Sequence, residues 1–416
     1  MINLTVTQKW LRCTECQGEF KLDSIYTGCP ACDKEGRSGA LEVCYDIGRL
    51  SSKITKSWLR EWGGSIWKYA DLLPVCDTSF CSTLGEGFTP LVREPYFEKE
   101  FGFGNIYLKN EASNPTWSHK DRLNAVLVSK AKELNAKGIA ASSTGNHGIS
   151  AAAYAALNDL PCIVFFPPET STSYLRLAGL YGAQAFVTPW EKRGELLQKL
   201  VFEENWTPSY PFVEGGISNP YGVEGYKTIA YELIAQLDDT PDAILAPVSE
   251  GNALTGIHKG FQEMLELGVI DRIPRLYGCV PRGANALERS FERQDDKVMT
   301  LEDSYSIATS TREKTAGVHV LRLLHASKGR AVSVTDDAII RMMQILGKRG
   351  YCVETASALP AACLEQLMEK GEIKPEEKVV CLVTSTGIKW PDLLAEMAPP
   401  PQRIEGTWES FIGAKR

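Results

Sequence analysis

Lys120 is a candidate for chemistry because it follows the loop "NEASNPTWSH" and opens the amphipathic pattern "KDRLNAVLVSKAKEL". A lysine amine acts as a nucleophile or a base only when burial or covalent attachment lowers its pKa from about 10.4. A loop that leads directly into a helix can hold such an amine in one geometry. Most lysines at helix starts are solvated, so Lys120 needs partners elsewhere in the chain.

Three loops that follow short apolar runs supply such partners. The first, "SSTGNHG", offers the amide of Asn146 beside a glycine that lets the backbone approach a ligand closely. The second, "PVSEGNALTG", opens a helix pattern whose free backbone amides suit a phosphate dianion. The residues of this loop that are candidates for binding the phosphate are Ser249, Glu250, Gly251, Asn252 and Ala253. The third, "VTSTG", places the hydroxyl of Thr384 after the last apolar run.

Each of these loops alone is also compatible with ordinary turn chemistry. Their order along the chain, together with a lysine held at a helix start, indicates a pyridoxal phosphate site. In such a site Lys120 forms the Schiff base with the cofactor.

The elements that must position these loops are alternating strands and helices. Short β-rich runs alternate with helical patterns from residue 84 onward, which predicts parallel sheets with helices on both faces. We expect an α/β fold of two lobes that divide near residue 220, with a ligand between them at the carboxyl ends of the strands. The predicted domains are 1–48, a small module; 49–220, with Lys120 and the Ser-Thr-Gly-Asn loop; and 221–416, with the phosphate loop and Thr384.

The predicted module at residues 1–48 contains the pattern C-x2-C-x12-C-x2-C, formed by Cys13, Cys16, Cys29 and Cys32. Two tight Cys-x2-Cys turns can surround one tetrahedral ion, so the pattern favours a structural zinc in a zinc-ribbon-like module. The alternative interpretations are two disulfides or a remnant site without a function. The other eight of the twelve cysteines stand singly, in contexts such as "LPCIVFF", and are expected to be small buried hydrophobic residues.

Composition excludes several classes of function. The net charge is −7 and no run rich in lysine or arginine occurs, so we expect no nucleic-acid partner. No apolar stretch reaches about 18 residues and the first residues lack the pattern of a signal peptide, so we expect a cytoplasmic protein without a membrane partner.

The sequence resembles the threonine synthase family of fold type II pyridoxal phosphate enzymes. The resemblance rests on the cysteine pattern and on "LGEGFTPL", "NEASNPTWSHKDR", "SSTGN", "NPYGVEGYKTIAYEL" and "TSTGIKWPD", which span nearly the whole chain. It implies a two-lobed architecture like that of the tryptophan synthase β subunit, and a homodimer. It also implies that Lys120 binds the cofactor, that Asn146 contacts its 3-hydroxyl group, that Ser249 to Ala253 hold its phosphate, and that Thr384 meets its ring nitrogen.

Departures from the family pattern lie near the expected substrate. The family usually has Asn-Pro-Thr-Gly-Ser-Phe-Lys-Asp-Arg-Gly, where this chain has Trp117, His119 and Leu123 in place of the two glycines and the phenylalanine. After the Gly-Asn pair the family carries small hydroxyl residues, where this chain has His147 and Gly148. Glu250 would repel a phosphate unless its side chain turns away. The candidate substrate contacts are His119, Ser143, Thr144 and His147.

These departures favour a divergent member of the family that releases phosphate from an O-phospho amino acid. Our first interpretation is a cysteate synthase, which converts O-phospho-L-serine and sulfite into L-cysteate, because a protonated His119 or His147 would attract an anionic nucleophile. The first alternative is threonine synthase itself, acting on O-phospho-L-homoserine and water. The second is a binder of pyridoxal phosphate without activity, which the retained Lys120 disfavours.

Overall fold

The computed structural model of the chain describes residues 7–36, 39–209 and 219–415. The strands are β1 Lys9–Cys13, β2 Glu19–Phe20, β3 Leu41–Tyr45, β4 Leu91–Arg93, β5 Ile106–Asn110, β6 Ile139–Ser142, β7 Cys162–Phe166, β8 Gln184–Val187, β9 Thr207–Pro208, β10 Ala243–Pro247, β11 Arg275–Pro281, β12 Arg330–Val334 and β13 Val379–Val383. The α-helices are α1 Pro30–Lys34, α2 Lys56–Arg60, α3 Pro95–Phe101, α4 Lys120–Glu133, α5 Asn146–Leu157, α6 Thr172–Leu180, α7 Trp190–Glu204, α8 Lys227–Leu237, α9 Asn252–Glu266, α10 Ala286–Arg293, α11 Val318–Ala326, α12 Asp336–Lys348, α13 Thr355–Glu369, α14 Pro391–Met397 and α15 Trp408–Ala414. Within the described ranges, no helix has the length and apolar character needed to cross a bilayer.

Two sheets form the body of the molecule. The larger has six strands in the order β12-β11-β10-β13-β5-β4, and all of its neighbouring strands run parallel except β4 and β5. The smaller has four parallel strands in the order β8-β7-β6-β9. The α/β fold with parallel sheets that the sequence predicts is therefore confirmed.

The central strands of the larger sheet are covered on both faces. Alternate residues of a strand point to opposite faces, and in β10 Ile244 joins one hydrophobic core while Leu245 joins the other. The first core includes apolar residues of α8, α9 and α11, and the second includes those of α12 and α13. Burial on both faces explains why these strands read as continuous apolar runs in the sequence.

The expected division near residue 220 does not match the strand membership of the sheets. Strand β5, which precedes Lys120, pairs with β13 near the end of the chain, with Leu108 opposite Cys381. Strands β4 and β5 therefore belong to the larger sheet, although we placed them in the first lobe. Sequence order could not reveal this pairing because the intervening strands β6 to β9 form a separate sheet.

The predicted module at the start of the chain is a three-stranded antiparallel sheet in the order β2-β1-β3. Its core contains Leu11 and Val43 together with Tyr221, which comes from the body of the protein. The Tyr221 hydroxyl also donates to the backbone carbonyl of Asp23 at 2.5 Å. The module is thus docked against the body by apolar packing and by a hydrogen bond.

Candidate active site

One cleft collects all the candidate cofactor and substrate contacts that the sequence predicts. It contains about 960 Å³ of space that protein atoms do not fill. The predicted residues that line it are His119, Lys120, Ser143, Thr144, Asn146, His147, Ser249, Glu250, Gly251, Asn252, Ala253 and Thr384. Each of these loops follows the carboxyl end of a parallel strand: β5, β6, β10 or β13.

Lys120 is the first residue of α4, and its amine lies 5.9 Å from the centre of the Tyr226 ring. Burial lowers the pKa of Lys120 from 10.5 to about 8, while the carboxylates of Glu250 and Glu354 act in the opposite direction. About a tenth of this amine is therefore uncharged at pH 7, far more than for a lysine in water. An uncharged amine is the form that attacks a carbonyl group or accepts a proton.

Asn146 is held from both sides by charged groups. Its Nδ2 donates to both carboxylate oxygens of Glu354, at 3.1 and 2.9 Å. Its Oδ1 accepts from the amine of Lys389, and Ser385 Oγ lies 3.0 Å away. Glu354 and Lys389 are both buried, and the amide therefore has one fixed orientation at the edge of the cleft.

Burial disfavours the charged form of both histidines, which weakens the basis of our first functional interpretation. Burial lowers the pKa of His147 from 6.5 to about 3, and the pKa of His119 falls well below its usual value. His119 Nδ1 lies 3.2 Å from the carbonyl oxygen of Thr384, so this nitrogen carries the proton. Neither imidazole is available as a cation for an anionic nucleophile.

His147 lies in a chain of hydrogen bonds that accounts for its presence. Its Nε2 lies 2.5 Å from Ser209 Oγ, and Ser209 Oγ donates to Asn124 Oδ1 at 3.2 Å. Because the serine proton is used in the second bond, His147 Nε2 carries its own proton. Asn124 also donates to the backbone carbonyl of Lys120 at 3.2 Å. The chain of hydrogen bonds therefore supports the first turn of α4.

Gly148 and Ser143 are explained by local packing. A Cβ atom at Gly148 would lie 2.7 Å from the side chain of Val164 and 2.9 Å from that of Phe166. Ser143 Oγ accepts from the backbone amides of Gly145 and Gly148, at 3.0 and 2.9 Å. The conformation of the loop before α5 is thus stabilised by hydrogen bonds within the loop. A residue larger than glycine at position 148 would push α5 away from β7.

The loop from Ser249 to Ala253 enters α9 through Gly251, which has a φ angle of +96° and no side chain to cap the helix. The first turn of α9 thus faces the cleft without a side-chain cap, the arrangement that suits binding of an anion. The Glu250 carboxylate accepts from Asn252 Nδ2 at 3.3 Å, within the same loop. Its charge remains in the cleft and raises the pKa of Lys120.

Thr384 follows the central strand β13, and its hydroxyl lies 2.9 Å from that of Ser357 on α13. Ser357 Oγ accepts from the Ser385 amide at 2.8 Å. Ser357 Oγ also donates to the carbonyl oxygen of Ser385 at 3.0 Å, so its single proton is used there. The Thr384 proton is then directed either to Ser357 Oγ or to a ligand in the cleft.

Sequence reasoning missed several residues of the cleft: Arg193, Ser209, Ser310, Thr311, Glu313 and Glu354. Glu354 stands immediately before α13 in "CVETASALPAA". A lone acid before a run of small apolar residues is the signal that could have identified it. Lys389 lies within the quoted motif "TSTGIKWPD", but its buried position behind Asn146 could not be deduced from the sequence.

The four cysteines of the first module also come together. The Sγ atoms of Cys13 and Cys32 lie 3.7 Å apart, those of Cys16 and Cys29 lie 3.6 Å apart, and all four lie within 4.8 Å of one another. Zinc–sulfur bonds of about 2.3 Å in a tetrahedron place the sulfurs roughly 3.8 Å apart. The cluster therefore has the dimensions of a four-thiolate zinc site.

Comparison with known proteins agrees with this geometry. The family of pyridoxal-phosphate dependent enzymes matches residues 82–385. A threonine synthase of Methanocaldococcus jannaschii is 33% identical over 401 residues, which are 95% of this chain and 96% of that protein. A threonine synthase of Methanosarcina acetivorans is 32% identical over 406 residues, which are 96% of this chain and 97% of that protein.

Solved structures share the fold at lower sequence similarity. Maize serine racemase superposes with a TM-score of 0.64 and 21% identity, covering 74% of this chain and 91% of that one. A tomato threonine deaminase superposes with a TM-score of 0.63 and 19% identity, covering 75% of this chain and 88% of that one. Fold and family model together define a pyridoxal-phosphate-dependent enzyme of fold type II. Within that class, the chain belongs to the threonine synthase family.

Proposed function

We propose that this enzyme is a threonine synthase, which converts O-phospho-L-homoserine and water into L-threonine and phosphate. One observation carries the proposal: the similarity to threonine synthases extends over 401 residues. The model of the wider pyridoxal phosphate family matches residues 82–385 alone. The longer similarity includes the first module as well, so it is more specific evidence than the match to the wider family, which covers the catalytic body alone.

The residues of the cleft fit pyridoxal phosphate. We assign attachment of the cofactor to Lys120, contact with its 3-hydroxyl group to Asn146, and contact with its ring nitrogen to Thr384. The uncapped first turn of α9, with Ser249 to Ala253, would hold its phosphate. A donor from Thr384 leaves the ring nitrogen largely unprotonated, which suits elimination and replacement better than transamination.

The cofactor, when bound, supplies an electron sink that stabilises negative charge at the substrate's α-carbon. The chain supplies the proton transfers. Lys120, whose pKa is lowered to about 8, is the group that we assign to removing the α-proton. Glu354 and Lys389 hold the amide of Asn146 in one orientation, so the site would not need to reorganise during reaction.

The reaction of O-phospho-L-serine with sulfite loses its residue-level support, because His119 and His147 are uncharged. It is retained as an outcome that the experiment must distinguish. Purified holoenzyme should be offered O-phospho-L-homoserine and O-phospho-L-serine, each with and without sulfite, with phosphate release and amino-acid products measured. We expect threonine from O-phospho-L-homoserine and no product with the Lys120→Ala variant. Cysteate formed only from O-phospho-L-serine and sulfite would overturn the proposal.

For the first module we propose one structural zinc ion bound by Cys13, Cys16, Cys29 and Cys32. Four thiolates complete the coordination of zinc, so this ion would stabilise the module and take no part in catalysis. The sulfur separations of 3.6 and 3.7 Å support the proposal, because they are near the edge length of a tetrahedral site. A zinc content of one ion per chain is the expected result of metal analysis.

A further inference from the structure

A phosphorylated amino acid brings a second phosphate into a cleft that already has to hold the phosphate of the cofactor. The charged side chains that line the cleft in the described part of the chain are Lys120, Arg193, Glu250, Glu313 and Glu354. Acids thus outnumber cations. A substrate that carries a phosphate dianion needs a cation that the cofactor does not use.

Lys120 is committed to the cofactor under the proposed function, and His119 and His147 are uncharged. Lys389 does not line the cleft, because its amine is buried behind Asn146 and also donates to the carbonyl oxygens of Thr116 and Trp117, at 3.2 and 3.3 Å. Arg193 is the remaining cation among the described lining residues.

Arg193 is fixed in place by aromatic packing in the first turn of α7. Its side chain is buried, at 6% exposure, and its guanidinium carbon lies 4.0 Å from the centre of the Trp190 ring. The indole nitrogen of Trp190 donates to Glu169 Oε1 at 2.6 Å, and Glu169 also forms an ion pair with Arg312. The guanidinium is therefore held before substrate arrives, which reduces the entropy lost on binding.

The loop that leads to α11 adds hydroxyl groups and one competing acid to the lining of the cleft. Ser310 and Thr311 line the cleft on this loop, and the neighbouring Arg312 lies 5.6 Å from the same Trp190 ring that Arg193 packs against. Glu313 lies on the same loop, where burial raises its pKa and the charges of Arg193 and Arg312 lower it. Glu313 is thus the carboxylate that opposes an incoming anion at this wall.

We infer that Arg193 is the specificity-determining residue that binds the phosphate group of the substrate, with Ser310 and Thr311 as hydroxyl partners on the loop before α11. This inference rests on the proposed function for the identity of the substrate. It explains how the cleft selects a phosphorylated amino acid although the family's small hydroxyl residues after Asn146 are replaced by His147 and Gly148. The planar guanidinium can form two parallel hydrogen bonds to phosphate, which lysine cannot.

The test uses inorganic phosphate as the probe, titrated calorimetrically into the holoenzyme so that the cofactor occupies its own phosphate loop. The variants are Arg193→Met, Arg193→Lys and Glu313→Gln. Lys192→Met is the matched control, because Lys192 is the neighbouring cation, 65% exposed, and pairs with Glu195. The KM for O-phospho-L-homoserine is measured for the same proteins.

We expect Arg193→Met to weaken phosphate binding by about 10- to 100-fold, the range for losing a charge-assisted hydrogen bond. Arg193→Lys should be intermediate, Glu313→Gln should bind phosphate more tightly, and Lys192→Met should match the wild type within about twofold. Unchanged phosphate affinity in Arg193→Met, or no phosphate binding by the wild-type holoenzyme, would overturn the inference. If Arg193→Met does not fold, Glu313→Gln decides: unchanged or weaker binding counts against an anion site at this wall.

The product assay separates the two proposals. Phosphate binding that depends on Arg193, with no product from either phospho amino acid, would leave the anion site standing and reject the proposed reaction. Threonine formation with an unchanged KM in Arg193→Met would retain the reaction and reject the role of Arg193.

Discussion

The side-chain amide of Asn146 donates to both carboxylate oxygens of Glu354, although the two residues are 208 positions apart in the chain. Asn146 begins α5 beside the smaller sheet, and Glu354 precedes α13 beside the larger one. The contact therefore joins the two halves of the molecule at the edge of the cleft. It also fixes the orientation of the Asn146 amide.

Glu354→Ala should weaken binding of pyridoxal phosphate by about 10-fold or more. The substitution leaves the buried Nδ2 of Asn146 without its acceptor, and an unsatisfied buried donor costs about 1–3 kcal/mol. The measurement is the dissociation constant of the cofactor, followed by its visible absorbance during equilibrium dialysis. Glu365→Ala is a matched control, because Glu365 is also buried on α13 but pairs with Arg341 away from the cleft. Equal cofactor affinity in the Glu354→Ala and Glu365→Ala variants would refute this role of Glu354.

The rate at which the apoprotein captures pyridoxal phosphate should rise with pH, with a midpoint near 8. The uncharged amine of Lys120 is the attacking form, and burial lowers its pKa from 10.5 to about 8. Below the midpoint the amine is protonated and capture slows. Because the Glu250 carboxylate raises this pKa, Glu250→Gln should move the midpoint to lower pH. Stopped-flow absorbance over a pH series provides the test, and a midpoint above 10 would show that burial does not tune the amine.

The sequence predicted the cleft because its loops follow strands in a repeating strand-helix pattern, and parallel strands bring their carboxyl ends to one edge. Lys120, Ser249 and Thr384 follow strands of the larger sheet and could therefore be grouped without knowing the order of the strands. Asn146 follows β6 of the smaller sheet, so it reaches the cleft through the packing of the two sheets. The pairing of β5 with β13 could not be predicted, since it depends on which strands leave the larger sheet for the smaller one.

The charge of the cleft histidines and the position of Arg193 could not be predicted from the sequence, for a different reason. The charge of His147 depends on its burial, which the surrounding elements determine together. Arg193 lies in "PWEKRGELL", where its pattern resembles that of exposed lysines and glutamates in the same helix. Its position in the cleft follows from how the first turn of α7 faces the loop of Glu313, not from the residues around it.

Cys13→Ser should remove the metal from the first module and lower the unfolding temperature of that module. One thiolate is lost from a closed four-sulfur site, and structural zinc contributes directly to the folding free energy of such modules. Metal content by mass spectrometry and thermal unfolding are the two readouts. Cys44→Ser is the control, because Cys44 lies on β3 of the same module but outside the cluster. If the wild-type protein contains no zinc, and Cys13→Ser unfolds at the same temperature as the wild type, the proposal of a structural zinc ion is wrong.

Trp117→Gly should stabilise the protein relative to Trp117→Ala by about 1 kcal/mol. Trp117 has a φ angle of +60°, in the left-handed region that costs an L-residue about 1–2 kcal/mol. Glycine adopts this conformation without that cost, but it loses more conformational entropy on folding, so only part of the roughly 1–2 kcal/mol is recovered. The conformation is retained because the Trp117 carbonyl accepts from Ser385 Oγ at 3.0 Å and from Lys389 Nζ at 3.3 Å. Trp117→Ala removes the same 41% exposed side chain without relieving the backbone, so the difference between the two variants isolates the strain. Urea unfolding of both variants measures that difference, and an alanine variant as stable as the glycine variant would show that the loop before Lys120 is unstrained.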